Sequence, residues 1–468
     1  MTTPATATAT ATAGSGGLWS FVRDLRFEAM PADVVAMAQR CLLDLVGVAA
    51  SGARTPGAAL VTTYVADQMR GGEARAARIL FDGRHAGLAG AALAGGTIID
   101  AIDAHDGHPL TKGHVGAAVL PALLAFVDGD AGARQRCNGH ELLVALVIGY
   151  EVATRAGIAL HASVPDYHCS GAWNALAAAA LGARLIGLDA AQFRHALGIA
   201  EYFGPRGQIL RVCGHPTMLK DGSGWGAHVG VTATLLARDG FTGAPAVTVE
   251  GEAGAEYDVG PLWADLGTRW RIREQYFKPY PVCRWAQPAI EGARALQHAH
   301  RFTAGDIAAI RIESFREAVA LGAQCLQPRT TDEAQYAITY PVAAMLVFGR
   351  MGAEELADTA LADPRVTRLL GATRLVEEPS FSRRFPAERF ARVSVTLRDG
   401  RVLTSPDSVA RGSAENALDD AEIRSKYFAY ATPVLGHARA ERIAGGVDAL
   451  DHGGDCRALV DDLLSPAE

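Results

Sequence analysis

The sequence predicts a mainly α-helical protein, with a large all-helical domain and a smaller α+β domain. Two observations carry this prediction. Up to about Trp270, apolar residues recur at steps of three and four, which is the period of amphipathic helices. Beyond that position the pattern changes to short alternating runs separated by Gly and Pro, which is typical of strands and turns.

The length of the chain indicates more than one domain. A chain of 468 residues is too long for one simple core, so we expect two or three domains. The helical domain is predicted over residues 18–272, completed by the helical pattern of 412–468, and the α+β domain over 273–411. Residues 1–17 are rich in Thr, Ala and Gly and lack the apolar run of a signal peptide, so we predict a disordered tail.

Regular apolar spacing marks the individual helices. Pro31 suits a first helical turn, and Val34, Ala38, Cys41 and Leu42 follow at helical steps. Further helices are predicted at 57–70, 86–102, 116–128, 139–160, 171–187 and 190–202. Several are rich in Ala and Gly, which permits close approach of helix axes. Tight packing in a large helical domain explains that composition without any functional role.

Two runs with alternating apolar and polar residues mark strands in the second domain. They span 309–315 and 390–397, and the second continues into Asp399-Gly400 and the residues Arg-Val-Leu-Thr. Glycine accepts a positive φ at no steric cost, so Asp-Gly between two such runs predicts a β-hairpin.

Composition excludes several functional classes. The chain is 49% hydrophobic and 20% charged, with a net charge of −7, and no basic face is evident, so we expect no nucleic-acid partner. The seven cysteines are scattered, odd in number and form no CxxC pair, which favours a reducing compartment, and we expect a cytoplasmic protein. No uninterrupted apolar run approaches membrane-spanning length, so no membrane association is expected.

Carboxylates and imidazoles concentrate in the loop Asp103-Ala-His-Asp-Gly-His-Pro-Leu-Thr-Lys-Gly-His114, between two apolar runs. Loops held by packed elements are where catalytic groups concentrate. Three interpretations stay open: a metal site, a structural polar loop, and metal-free acid/base catalysis by a histidine with an orienting carboxylate. Because the loop contains no His-x-x-x-His pair on a helix, we expect metal-free chemistry and no cofactor.

Cationic residues and a further histidine belong to the same hypothesis. His168 precedes an Ala-rich helix, and Lys220 lies in a Gly-rich segment that matches neither a P-loop nor a dinucleotide fingerprint. Lys278 and Arg284 lie in a Pro- and aromatic-rich segment. Together the cations could bind an anionic substrate, since ammonium and guanidinium groups form charge-assisted hydrogen bonds with carboxylates.

Five motifs, taken in order, resemble the MmgE/PrpD superfamily, whose members include 2-methylcitrate dehydratase, cis-aconitate decarboxylase and iminodisuccinate epimerase. They are Asp-x-x-Asp with a later His before Gly-Ala-Ala-Val-Leu-Pro-Ala-Leu-Leu-Ala, His168 before an Ala-rich helix, Thr-Met-Leu-Lys220, Tyr-Phe-Lys278-Pro-Tyr-Pro, and Ala334-Gln-Tyr-Ala-Ile-Thr-Tyr340. The resemblance covers nearly the whole chain after the tail.

The resemblance implies a fold and a set of site residues. It implies a helical domain closed by the C-terminal segment, an α+β lid, an active site in the cleft between them, no required metal, and a homodimer. The implied residues are the active-site aspartate Asp103 and histidine His114, the second histidine His168, the lysines Lys220 and Lys278, and the lid tyrosine Tyr340.

The chain departs from the family pattern in the middle of the loop. The family usually has Asp-x-x-Asp-Thr-Trp, whereas this chain has Gly107 and His108 after Asp106. A hydroxyl donor is lost, and an imidazole takes the place of a large aromatic ring. We expect these two residues to influence which substrate is bound.

The expected activity is that of a lyase, and first of a metal-free hydro-lyase (dehydratase) that abstracts a proton next to a carboxylate of a small di- or tricarboxylic acid. A decarboxylase and an epimerase are the alternatives within the enzyme class, and a non-catalytic carboxylate-binding or assembly protein is the alternative outside it. The expected roles are carboxylate binding by Lys220, Lys278 and Arg284, proton transfer by His114 or His168, and imidazole orientation or base catalysis by Asp103 and Asp106.

Overall fold

Helices dominate the computed structural model, which describes residues 11–72 and 75–467. The larger sheet lies in the C-terminal half of the chain, so the predicted class, mainly α with a smaller α+β part, is confirmed.

The first part of the chain is a helical assembly. Its helices are α1 Ala11–Asp24, α2 Ala32–Gly52, α3 Pro56–Gln68, α4 Leu88–Asp100, α5 Gly116–Gly129, α6 Ala131–Arg136, α7 Gly139–Ser163, α8 Gly171–Ile186, α9 Ala190–Phe203, α10 Ile209–Gly214, α11 Ser223–Arg238, α12 Val247–Glu250 and α13 Gly260–Ala264. The expectation of an all-helical domain is wrong at one place, where β1 Ala76–Arg78 and β2 His85–Gly87 pair antiparallel. Two residues in the connection between them are in the left-handed region, Phe81 at φ 54° and Gly83 at φ 78°.

Small residues allow the helices around α8 to approach closely. The space for a side chain is absent at Gly230 of α11, where an added Cβ would lie 2.3 Å from the carbonyl oxygen of Ala175 in α8. The same holds at Gly182, whose Cβ would lie 2.5 Å from the Phe126 ring of α5. The Gly and Ala content of these helices is therefore a packing requirement, as the sequence indicated.

The second part of the chain combines helices with a four-stranded sheet. Its elements are α14 Gln287–His300, β3 Ile307–Ser314, α15 Arg316–Ala323, α16 Thr331–Tyr336, α17 Thr339–Phe348, α18 Asp358–Leu361, α19 Pro364–Gly371, β4 Thr373–Glu377, α20 Pro379–Ser382, β5 Ala391–Leu397 and β6 Val402–Thr404. The strand order is β4-β3-β5-β6; the β3–β4 pair is parallel and the other two pairs are antiparallel.

The predicted hairpin is confirmed between β5 and β6. Gly400 has φ 89°, and the Leu397 amide donates to the Arg401 carbonyl at 2.8 Å. Every second residue of β5 is buried, because one face of the strand packs on the core while the other is partly solvated.

The last helices, α21 Asp420–Asp448 and α22 Arg457–Leu464, return to the first part of the chain. Buried side chains from Leu18 to Phe277 and from Leu418 to Leu464 form one hydrophobic core, and those from Tyr280 to Leu397 form a second. One contact matters for the site: Lys426 of α21 donates to the carbonyl of Ala104 at 2.7 Å and thereby supports the loop after α4.

The amino-terminal helix begins earlier than the sequence indicated. Helix α1 starts at Ala11, so residues 11–17 of the predicted tail are helical, and residues 1–10 lie outside the described residues. Leu18 and Val22 are fully buried in the first core, and this packing extends a helix through a sequence of low intrinsic order.

Two helices, α2 and α7, are long and apolar enough to cross a membrane by length and composition alone, which the sequence expectation overlooked. Within their apolar windows, 72% and 94% of the residues are buried inside the protein. Core packing accounts for their composition.

Candidate active site

A cavity of about 530 Å³ lies where the loop between α4 and α5 meets the segment 276–285 and helices α10 and α15. The volume is in the range of small-molecule sites. The structure brings six of the predicted site residues to its wall, namely Asp103, His108, His114, Lys220, Lys278 and Arg284.

A buried ion pair lies at the cavity wall. The Lys278 ammonium donates to the carbonyl oxygen of Asp103 at 2.9 Å and also to its carboxylate. Burial alone would raise the pKa of Asp103, but the Lys278 charge and the nearby imidazoles outweigh it and hold that pKa below its ordinary value. Burial likewise opposes the charge on Lys278, yet Asp103 keeps its pKa above the ordinary value. Both groups are therefore charged at neutral pH.

The backbone at Asp103 is in the left-handed region, with φ 48°. Few non-glycine residues adopt this conformation, although Asp tolerates it better than most. The bonds from Lys278 to both the backbone and the side chain of Asp103 hold the residue there. Such outliers are found most often at functional sites, which agrees with the position of Asp103 at the cavity.

The ring of His114 has a defined tautomer. Its Nδ1 lies 2.6 Å from the carbonyl oxygen of Asp106, and because a carbonyl can only accept, Nδ1 carries the proton. The unprotonated Nε2 lies 3.8 Å from the Asp103 carboxylate. Burial, followed by the Lys278 and His105 charges, lowers the pKa of His114 well below its ordinary value. Nε2 is therefore a proton acceptor at neutral pH.

The carboxyl group of Asp106 is an internal support. Tyr150 donates its hydroxyl to one oxygen and the Gly116 amide donates to the other at 3.2 Å. Burial raises the pKa of Asp106 to about 6. Asp106 is fully buried and is not among the described residues that line the cavity, so it acts on His114 through the carbonyl that its side chain helps to fix.

His105 is the imidazole that sequence reasoning left out. Its Nε2 lies 2.6 Å from the Asp100 carboxylate, and its ring stacks on His114 with centroids 4.2 Å apart. Burial lowers the pKa of His105, but the hydrogen bond and charge of Asp100 outweigh this and raise it. Asp100 therefore favours the charged form of His105, and positive charge on His105 lowers the pKa of His114.

Asp103, His105 and His114 could together hold a metal ion, since one ligand atom from each lies within 4.8 Å of the others. One donor is already engaged, however. The Asp103 carboxylate binds the Lys278 ammonium, and His105 uses Nε2 for Asp100, which leaves its Nδ1. A divalent cation would lie beside that ammonium and be repelled by it, so this donor set fits Lys278 better than a metal ion.

The contacts around positions 107 and 108 show why a glycine and a histidine fit there. Gly107 exchanges backbone hydrogen bonds with Tyr276, at 3.0 and 2.7 Å, and a Cβ at Gly107 would lie 2.5 Å from the Tyr276 ring. Tyr276 thus occupies the space that a side chain at position 107 would need. His108 accepts from the Leu110 amide through Nδ1 at 3.2 Å, so Nε2 donates to Glu274 at 3.0 Å.

The two other predicted cations have different partners. Lys220 forms an ion pair with Asp332 at 2.6 Å and donates to Gln335 at 2.9 Å. Arg284 donates to the carbonyl of Arg411 at 2.6 Å and to the Ser413 hydroxyl at 2.7 Å. Lys220 therefore has an internal counterion, whereas the acceptors of Arg284 among the described residues are all neutral.

His168 and Tyr340 are predicted site residues that do not line the cavity in the part of the chain described. The His168 amide donates to Nε2 of His161 at 3.2 Å, and its Nδ1 lies 3.3 Å from the Arg206 carbonyl. Tyr340 is fully buried in the second core and donates its hydroxyl to the Glu355 carbonyl. Their sequence neighbours Tyr167 and Tyr336 line the cavity instead.

Sequence reasoning also missed part of the wall. Tyr276 and Tyr336 lie in the recognised motifs, two residues before Lys278 and next to Gln335, and this position in the motifs was the available signal. Asp221 directly follows Lys220, and burial, with the charge of Asp100, raises its pKa to about 7. Arg389 has no such signal. The apolar part of the wall includes Ile209, Leu210, Trp285, Leu321 and Phe385.

The chain matches known families and proteins along its length. Residues 17–259 match the MmgE/PrpD N-terminal domain, and residues 280–452 match the MmgE/PrpD C-terminal domain. The chain is 25% identical to a cis-aconitate decarboxylase-like protein of Aspergillus oryzae over 95% of both chains. It is 26% identical to human cis-aconitate decarboxylase over 81% of this chain and 79% of that protein.

A dehydratase is also among the similar proteins. The 2-methylcitrate dehydratase of Cupriavidus necator is 30% identical over 49% of this chain and 50% of its own length. Both halves of the family fold are thus matched, in the same order and over the two hydrophobic cores described above. The chain belongs to the MmgE/PrpD family.

Proposed function

We propose that the protein is a lyase that acts on a small di- or tricarboxylic acid by moving a proton on a carbon next to a carboxylate. One observation carries the proposal: the free Nε2 of His114 lies beside the buried Asp103–Lys278 ion pair at the wall of the cavity. Such chemistry requires three groups: a neutral base, a carboxylate that stabilises the positive charge on the protonated base, and a cation that stabilises the negative charge developing on the substrate.

The proposed roles follow from these contacts. His114 exchanges the proton through Nε2, and the imidazolium that forms is stabilised by the Asp103 carboxylate 3.8 Å away. Lys278, buried and charged, stabilises negative charge that develops on the substrate. Tyr336 keeps its proton, because burial raises the pKa of its hydroxyl well above the ordinary value, so it can donate a hydrogen bond or a proton inside the cavity.

Decarboxylation is the reaction we propose first. The A. oryzae relative, named as cis-aconitate decarboxylase-like, aligns over 95% of both chains. In such a reaction the bond to the leaving carboxylate breaks, its electrons form an enolate-like anion, and that anion takes a proton from the site. Dehydration, which the sequence analysis expected, is the second candidate, supported by 30% identity to a 2-methylcitrate dehydratase over half of the chain.

Product analysis tests the proposal and separates the two reactions. The purified protein is incubated with cis-aconitate, 2-methylcitrate and an iminodicarboxylate, and the products are followed by proton NMR in D₂O and by CO₂ release. Loss of CO₂ supports the decarboxylase, and an alkene formed without CO₂ supports the dehydratase. Deuterium at a retained stereocentre would support an epimerase. Tight binding with neither turnover nor deuterium exchange over the whole panel contradicts catalysis and supports a non-catalytic binding protein.

A homodimer is proposed as well. Large apolar side chains are exposed on and around α9, α10 and the start of α11: they include Tyr202, Phe203, Leu219 and Trp225, which are 79%, 57%, 69% and 53% exposed. A second copy of the chain is the partner we propose for this face. Sedimentation velocity should give a dimer, and Leu219→Glu combined with Tyr202→Glu should give a monomer. A wild-type monomer at high concentration contradicts the proposal.

We also propose a cytoplasmic location and a small-molecule partner. The seven cysteines are free thiols, which suits the cytoplasm. The net charge of −7 argues against a nucleic-acid partner, and the partner we propose is a small carboxylic acid, with no membrane involved.

A further inference from the structure

Arg389 differs from the other cations at the cavity. Its side chain lines the cavity together with Asp103 and His114, and its Nε is buried without a hydrogen-bond partner. Among the residues that the structure describes, no carboxylate pairs with Arg389 and no group accepts a hydrogen bond from it. A guanidinium that has lost water at one nitrogen without a replacement is an unfavourable arrangement unless a ligand supplies the acceptor.

The remaining cations of the cavity sharpen this contrast. Two of the three lysines that line the cavity are neutralised from within the protein, Lys278 by Asp103 and Lys220 by Asp332; the third, Lys112, is exposed and lies 5.6 Å from the centroid of the Tyr167 ring. Arg284, like Arg389, has no internal carboxylate among the described residues, and its bonds go to carbonyl and hydroxyl oxygens. The two arginines therefore add to the buried part of the cavity positive charge that no carboxylate of the described residues neutralises.

The two arginines belong to one region of the cavity. The Arg284 guanidinium lies 4.5 Å from the centroid of the Tyr276 ring. Burial lowers the pKa of Arg284 to about 10; Tyr276 works against this shift, and the positive charge of Arg389 adds to it. Tyr276 also meets the catalytic candidate His114 edge-on, with ring centroids 6.5 Å apart. Apolar side chains of Trp285 and Phe385 line the cavity with them, and exclusion of water strengthens a charge-assisted bond.

We propose that Arg389, with Arg284, forms an anion subsite that binds a second carboxylate of the substrate, while His114 acts at the carbon beside another. The inference rests on the proposed function in taking a polycarboxylic acid as the substrate class. Planar guanidinium groups match carboxylates in two-pronged geometry, which an ammonium does not. Arg389 is thus a specificity-determining residue: it selects acids that carry a carboxylate at both ends of the bound molecule over monocarboxylic acids.

Ligand binding without turnover tests the subsite. Tricarballylate, a saturated tricarboxylate with no leaving group, is titrated into the wild-type protein, Arg389→Gln, Arg389→Lys and the control Arg383→Gln by isothermal calorimetry. Arg383 is an exposed arginine of the same segment and does not line the cavity. We expect Arg389→Gln to weaken binding at least about tenfold, Arg389→Lys to restore part of the loss, and the control to bind like the wild type.

The outcomes separate the subsite from the proposed reaction. Tricarballylate binding that is equal in the wild type and in a folded Arg389→Gln variant overturns the subsite, as does a wild-type protein that binds no tricarballylate. A butyrate titration completes the test, because loss of Arg389 should leave its binding within about twofold, and an equal loss for both acids also overturns the inference. A wild-type protein that binds tricarballylate through Arg389 but turns over no substrate sinks the lyase proposal alone.

Discussion

The Lys278 ammonium contacts Asp103 twice, at the carboxylate and at the backbone carbonyl 2.9 Å away, so one cation fixes both the charge and the left-handed backbone of that residue. Burial lowers the pKa of His114, and the charge of the same cation lowers it further, so the imidazole stays a free base. Lys278 comes from the segment that links the two hydrophobic cores, and Asp103 from the loop after α4. The base is therefore tuned by a contact between distant parts of the chain.

Replacing Lys278 should affect stability and activity together. Lys278→Met leaves the buried Asp103 carboxylate without its partner, which we expect to cost about 3–5 kcal/mol in the free energy of unfolding. Turnover should fall about 100-fold or more, because negative charge on the substrate loses its stabilising cation. Urea unfolding and steady-state kinetics measure the two effects.

The double variant Asp103→Asn/Lys278→Met provides the control. It removes both charges, so its stability should recover part of what Lys278→Met loses, while its activity stays low. The single variant Asp103→Asn completes the comparison. If the decrease in the free energy of unfolding of the double variant equals the sum of the decreases of the two single variants, the two residues are not coupled as the structure indicates.

The activity should depend on pH through His114. Proton abstraction by His114 needs neutral Nε2, and the pKa of His114 lies well below the ordinary value of 6.5, so for a dehydratase kcat/KM should stay constant from pH 8 to about 6.5 and fall only at lower pH. In Lys278→Met the residual activity should fall at a higher pH, because the charge that lowers the His114 pKa is gone. A wild-type profile that already declines between pH 8 and 7 would contradict the assignment.

Two tyrosines of one motif should respond in opposite ways to loss of the hydroxyl. Tyr336 lines the cavity, so Tyr336→Phe should lower turnover at least about tenfold with little change in stability. Tyr340 donates to the Glu355 carbonyl within the second core, so Tyr340→Phe should lower stability by about 1–3 kcal/mol and leave kcat nearly unchanged. Steady-state kinetics and urea unfolding are measured for both variants. A reversed pattern, with turnover lost in Tyr340→Phe and stability lost in Tyr336→Phe, would mean that Tyr340 is the active-site tyrosine.

Asp106 should make the wild-type protein lose stability as the pH rises. Its folded pKa is about 6 against 3.8 for the free side chain, so the unfolded state releases the proton first and the contribution of Asp106 to stability is lost as pH rises through about 6. Asp106→Asn cannot titrate. Relative to that variant, the wild type should lose about 2 kcal/mol between pH 4.5 and 7.5, measured by urea unfolding. An equal difference at both pH values would contradict this.

Local signals were sufficient for much of the fold and for part of the site. The Asp399-Gly400 pair predicted the hairpin because turn geometry is set by neighbouring residues. The crowded loop predicted that Asp103, His108 and His114 would lie at one site. The sequence analysis named Tyr340 as the site tyrosine, whereas Tyr336 lines the cavity. Helix α16 ends at Tyr336 and a new helix starts at Thr339, so the two tyrosines do not lie on one continuous helix.

By itself, the sequence determined the helical class, the hairpin, the family resemblance and the chemical types gathered between Asp103 and His114. Only the tertiary structure decided which groups are neutral, paired or free. His114 is a neutral base because it is buried and because Lys278 and His105 lie beside it, and Lys220 is neutralised because Asp332 forms an ion pair with it. Arg389 is left without a partner in the described chain. Charge interactions depend on distance and burial, which residues far apart in sequence acquire only when the chain is folded.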